Sequence, residues 1–93
     1  MNSFALTIVA NSKVCFRGQA RICTVFSTTG ARSFEAHHES FMAVLVPDSV
    51  VSFREEGGKE NQLPVADGLI SFVENSCMIL VSLAEVPVLP SDN

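Results

Sequence analysis

The stretch 65-VADGLISFVENSCMILV-81 sets two short apolar runs, Leu69–Val73 and Met78–Val81, on either side of Glu74-Asn75-Ser76. Each run is too short for a globular helix and has the length of a strand. Glu74-Asn75-Ser76 has turn composition, so the two runs read as a hairpin. Upstream, Asp67-Gly68 separates Leu69–Val73 from another apolar run. Asp-Gly accepts the positive φ values of a type I′ turn, so a second tight turn is expected there. The second strand continues to Leu83.

The same rhythm extends outward. Helical periodicity is absent, and short apolar runs are split by turn residues every 8 to 12 positions or so, as in an all-β chain. Phe4, Leu6 and Ile8 alternate with Ser3, Ala5 and Thr7, giving one strongly apolar face. Asn11-Ser12 supplies a turn. Val14 and Phe16 alternate with Lys13, Cys15 and Arg17 before Gly18 breaks the run. Ala20, Ile22, Thr24 and Phe26 form one face of the next strand, and Arg21, Cys23 and Val25 the other.

Ser27-Thr28-Thr29-Gly30 turns the chain into a short extended piece near Ser33–Glu35. Phe41–Val46 is a strand ended by Pro47-Asp48-Ser49. Val50–Arg54 leads into Glu55-Glu56-Gly57-Gly58-Lys59, a charged hairpin tip. The expected fold is all-β: a small two-sheet β-sandwich or flattened barrel of about nine or ten short strands. Stacking two sheets hides the apolar face of each. Residues 1–83 form this one domain. Pro87 and Pro90 mark 84–93 as a tail, with no C-terminal helical domain expected behind it.

Composition narrows the function. Of the 93 residues, 47% are hydrophobic and 17% charged, which excludes a disordered chain and hints at a partner-covered surface. The net charge is −4, and Lys13, Arg17, Arg21, Arg32, Arg54 and Lys59 are scattered. No basic stripe is interleaved with aromatics, so nucleic acid is not the expected partner. No apolar run approaches the roughly 18 residues of a membrane span. The N-terminus lacks the basic and small-residue features of a signal peptide. Cys15, Cys23 and Cys77 are odd in number and form no CxxC, which fits three reduced, buried thiols in an intracellular protein.

The stretch 30-GARSFEAHHESFMAVL-45 carries the chain's only histidines. Adjacent side chains on a strand point to opposite faces, so His37 and His38 cannot easily share one ion. His37 and Glu39 can share a face, but two ligands are too few for a structural zinc. No nucleophile elbow or phosphate loop is present. A small metalloprotein or hydrolase using His37, His38 and Glu39 is therefore the weaker reading. Neither a cofactor nor a catalytic residue is expected. A structured loop facing a protein partner is the stronger reading, which leaves a stand-alone binding module open as an alternative.

The order of these features resembles the N-terminal β-sandwich domain of the epsilon subunit of rotary ATP synthases, called delta in mitochondria. The resemblance spans roughly residues 3–84. FALTIVA followed by VCFRG is similar to the family's "L-x-I-V-x-P … V-F-x-G". Gly30 through Leu45 is similar to "G-E-x-G-I-L-P-G-H-x-P-L" and the strand after it, with His38 on the histidine and Phe41 on the leucine. Pro47-Asp48 stands where the family has "P-G". The opening stretch is similar to "V-S-G-G-F-L-E-V-x-x-N-x-V-T-V-L-A", with Gly68 on the second glycine. Ala31 stands in place of the usual acidic residue, Ser33 of a glycine, Ala36 and Ser40 of two prolines, and Asp67 of a glycine.

The resemblance implies a non-catalytic stalk subunit that couples rotation to ATP synthesis or hydrolysis, without the family's inhibitory helical hairpin. It implies the gamma subunit and the ring of c subunits as partners, and a position peripheral to the energy-coupling membrane on its cytoplasmic or matrix-equivalent face. Carried over by position, Thr29, Gly30, Ala31, Arg32 and His38 face the c ring. Ala10, Met42 and Ala43 face gamma, although Met42 and Ala43 also lie in a strand that reads as plain core.

Overall fold

The computed structural model describes residues 2–84, so all of the expected tail except Ala84 lies outside the described residues. Seven strands are present: β1 (Phe4–Ala10), β2 (Lys13–Ser27), β3 (Gly30–Glu35), β4 (Phe41–Val44), β5 (Ser49–Glu55), β6 (Glu60–Val73) and β7 (Ser76–Leu83). They are joined in the order β1-β7-β6-β5-β2-β3, with β4 paired to β6. Strand β1 also pairs with β2, so the sheet closes on itself as a flattened barrel. All pairings are antiparallel except β1 with β7.

The expected nine or ten strands become seven because two expected breaks are not breaks. Gly18 lies inside β2, opposite Leu6 of β1, and the run continues through it. Asp67-Gly68 lies inside β6, paired with Ser82 and Val81 of β7. It is not a turn. Ala66 is an extra residue between the pairs Val65–Leu83 and Asp67–Ser82, which makes a β-bulge.

A second bulge at Arg21 lies between the pairs Ala20–Glu55 and Ile22–Arg54. Each bulge bends its strand so that one half serves one layer and the other half the opposite layer. Residues 13–20 of β2 pair with β1, whereas 22–27 pair with β3. Residues 60–65 of β6 pair with β5, whereas 69–72 pair with β4.

The bulge at Arg21 also resets which side chains face inward. Ala20 is buried, but beyond the bulge the buried set is Cys23, Val25 and Ser27. Ile22 and Thr24 are half-buried and Phe26 is exposed, so Ala20 does not share its face with them as unbroken alternation required.

Tight turns elsewhere form where expected. Asn11 and Ser12 both have positive φ between Ala10 and Lys13, as do Glu74 and Asn75 between Val73 and Ser76. These are the two-residue connections whose twist matches flanking antiparallel strands. The core joins Phe4, Leu6 and Ile8 of β1 to Cys23 and Val25 of β2, Phe34 of β3, Val51 of β5, Ile70 and Phe72 of β6, and Cys77 and Ile79 of β7. Each large aliphatic or aromatic side chain buried this way contributes roughly 1.5–3 kcal/mol. Ser27 is the buried polar residue among the described ones, and its Oγ donates to the Gly30 carbonyl at 2.9 Å. It also accepts from the Thr29 N–H at 3.2 Å, so the turn satisfies it.

Candidate docking surfaces

Strands β4, β6, β7 and β1 present an outer face that is largely apolar, with Asp67 at one end of β6 as its charged residue. Strand alternation sends Met42 and Val44, Leu69 and Ser71, Met78 and Leu80, and Thr7 and Val9 to this side. Register aligns them into rows. Val44 pairs with Leu69, Leu69 with Leu80, Leu80 with Val9, and Val9 with Val14 of β2. Five strands spaced about 4.8 Å apart make this an apolar row roughly 19 Å long. A second row runs Met42, Ser71, Met78, Thr7 and ends at Arg17. Met42 is 80% exposed and Val44, Leu69 and Leu80 are 52%, 51% and 45% exposed. A shallow groove of about 760 Å³ runs beside the first row, past Asp67 and Gly68.

Antiparallel sheets usually carry polar residues on the face away from the core. A contiguous apolar outer face is the exception that marks an interaction surface. Sequence reasoning singled out Met42 but missed Val44, Leu69, Met78 and Leu80. Their signal was present: LISFV and MILV lack the polar residue at every second position that one wet face requires.

The histidine stretch is a turn between β3 and β4. The His38 N–H donates to the Glu35 carbonyl at 3.3 Å, and His37 has φ near 65°. The His37 N–H donates to Asn75 Oδ1 at 2.7 Å, while Asn75 Nδ2 donates to the Ser3 carbonyl at 2.9 Å. One side chain thus ties this turn, the β6–β7 turn and the start of β1 together. His37 is exposed and His38 half-buried. The His38 ring lies edge-on to Phe34, Phe41 and Phe72, with its Nδ1 2.8 Å from the Glu39 carbonyl. Among the described residues, no three His, Cys, Asp or Glu side chains are placed to hold a metal ion.

Arg32 reaches the same aromatic group from the other side. Its guanidinium carbon sits 4.7 Å above the centre of the Phe41 ring, close enough for a cation–π contact. Arg32 and His38 therefore meet on Phe41. Thr29, in the turn before β3, and Gly30 and Ala31, at the start of that strand, are exposed. A cavity of about 330 Å³ is shared by Thr29, Arg32, Met42 and Ala43, so residues assigned to two different partners line one space. Ala10 is buried beneath the Asn11-Ser12 turn and belongs to the core cluster, and Ala43 is packed against that cluster.

Other polar features are structural. Arg54 pairs with Glu60 across the β5–β6 hairpin, with both side chains about half exposed, so the pair contributes little. Burial raises the Cys77 thiol from an ordinary 9.0 to about 12. The Cys23 thiol is pushed higher still, first by burial and then by the nearby Cys77. Neither thiol is a nucleophile near neutral pH. Cys15, expected to be buried, is exposed.

With this geometry, the likeness to known proteins becomes specific. The family described as "ATP synthase, Delta/Epsilon chain, beta-sandwich domain" matches residues 3–87. The ATP synthase epsilon chain of Clostridium novyi (strain NT) is 29% identical over 85 residues, which cover 91% of this chain and 64% of that relative. The chain thus spans a little under two thirds of the length of the curated relative it matches. A chain of the Euglena gracilis mitochondrial ATP synthase in rotational state 1 shares the fold with a TM-score of 0.75 at 19% identity, over 89% of this chain and 51% of that one. A chain of the central stalk and c-ring of the Tetrahymena thermophila mitochondrial ATP synthase does so with a TM-score of 0.71 at 18% identity, over 96% and 71%. A family match over nearly the whole chain, on a closed all-β sandwich with a largely apolar outer face, leads to one conclusion: the chain belongs to the ATP synthase delta/epsilon-chain family, as its β-sandwich domain.

Proposed function

We propose that the chain is a non-catalytic central-stalk subunit of a rotary ATP synthase, coupling rotation of the gamma subunit and c ring to ATP synthesis or hydrolysis. The largely apolar outer face carries this reading, since it gives a member of the delta/epsilon family a surface that water covers poorly. Gamma docks on that face through Met42, Val44, Leu69 and Leu80, with Ala43 beneath them. Ala10 holds β1 in place from the core side. The c ring meets β3 and its flanks, with Thr29, Gly30 and Ala31 at the exposed end and Arg32 and His38 around Phe41. The chain reaches the membrane through the assembled complex, and no described helix is long and apolar enough to cross one.

The test is recovery of partners. A tagged chain, expressed in cells and gently extracted from their membranes, is expected to bring down gamma and c subunits. The Leu69→Asp/Leu80→Asp variant should lose gamma while keeping its melting temperature. Failure of the unmodified chain to recover either subunit refutes the stalk assignment.

A further inference from the structure

We infer that the cavity beside Arg32 receives an extended partner segment carrying a carboxylate next to aliphatic side chains. This deepens the docking proposal above and rests on it.

Three observations converge. First, Arg32 carries a positive charge with no carboxylate on it. Among the described residues the only ion pair is Arg54–Glu60, and Arg32 instead rests on the Phe41 ring. A guanidinium held over a ring by a cation–π contact still has N–H donors to offer a carboxylate. Second, the walls around it are mixed: Thr28 and Thr29 supply hydroxyls, while Met42, Val44 and Leu69 supply apolar surface.

Third, the side of β4 away from β6 is bonded to the end of β2 and the β2–β3 turn only from Val44 onward, which leaves its start open beside the cavity. The Leu45 N–H donates to the Gly68 carbonyl at 2.9 Å, and the Val44 carbonyl accepts from the Thr28 N–H at 3.2 Å. Antiparallel alternation then turns the Met42 N–H and C=O away from β6, toward that open side. An extended peptide can add there, its backbone on Met42 and its side chains alternating between the apolar wall and the cavity.

Charge selects the occupant. The chain is net −4, so an acidic segment is disfavoured over most of the surface and favoured beside Arg32. A basic or purely apolar segment leaves the guanidinium unanswered. Arg32 is thus a specificity-determining residue of this surface.

The test is an NMR titration of the isotope-labelled chain with an acetylated six-residue peptide alternating Val and Glu, and with its Gln and Lys counterparts. The Glu peptide is expected to shift the amides of Thr28, Arg32, Met42 and Val44, and to bind about fivefold tighter than the Gln peptide. Arg32→Gln should erase that preference, and Arg32→Lys should restore part of it, with both variants keeping the wild-type melting temperature. Equal binding of the Glu and Gln peptides, shifts confined to other strands, or no binding at all would overturn the inference. Recovery of gamma and c subunits alongside any of those results leaves the stalk assignment standing and removes only this one.

Discussion

At the level of single residues, Gly68 shows how a correct glycine can have the wrong reason attached to it. A positive-φ turn was expected, but the residue sits in an extended strand. A Cβ there would lie 2.5 Å from Val81 Cγ1 and 2.7 Å from the Leu80 carbonyl oxygen. The backbone oxygen cannot step aside, so space rather than φ demands glycine. Gly68→Val should cost about 2 kcal/mol or more through overpacking, read as a drop in melting temperature. Gly68→Ala should fail too, which a turn explanation based on β-branching does not require.

The two buried thiols give a pH dependence with a definite sign. An unfolded thiol ionises near its ordinary value of 9.0, whereas Cys77 holds its proton up to about 12 when folded. Its contribution is therefore complete below pH 9 and is lost as pH rises from 9 to about 12. Denaturant midpoints should fall over that window, and Cys77→Val should flatten the fall. In the native state at pH 8, an alkylating reagent should modify Cys15 alone.

At the scale of elements, the turns were legible and the bulges were not. Asn11-Ser12 and Glu74-Asn75 announce themselves because few residue types accept positive φ at two successive positions. A bulge has no such signature. Arg21 and Ala66 are ordinary residues whose role depends on what the partner strand offers, and that partner is distant in sequence. Four expected segments became β2 and β6 because the chain runs on through Gly18 and through Asp67-Gly68, the latter just past the bulge at Ala66. The bulge at Arg21 also led to the wrong inward face for the second half of β2.

Deleting Arg21 tests this. Removing the extra residue should let alternation run regularly from Ala20 through Ile22 with Cys23, Val25 and Ser27 still inward, so the domain should stay folded by circular dichroism but melt lower because the bend between the two halves of β2 is lost. Asn75 is the complementary case, since its side chain clasps the His37 turn and the start of β1. Asn75→Ala should cost roughly 1–3 kcal/mol by stranding those partners. Asn75→Gly, which relieves the positive φ, should recover only the backbone part of the loss.

For the whole molecule, the family was visible as an ordered series of weak matches, while the docking face was only partly visible. Of the residues carried over by position, Met42 lies on the apolar face, whereas His38 lies in the β3–β4 turn and Ala43 packs against the core. The row of Val44, Leu69, Leu80, Val9 and Val14 could not be placed from sequence, because it exists only through the register of five strands. Replacing Leu80 by Asp should change stability by no more than about 0.5 kcal/mol, as at other exposed positions. It should nevertheless abolish co-purification of gamma, a separation of folding from assembly that a core residue cannot show.

The bent strands β2 and β6 add a mechanical property. Each belongs to both layers, so the layers are joined by continuous covalent backbone as well as by side-chain packing. Sliding one layer over the other would have to stretch that backbone or strip its ladder bonds. The domain should therefore resist shear as a stiff block. A load applied at Leu80 on one layer reaches Ser33 on the other without the two moving apart.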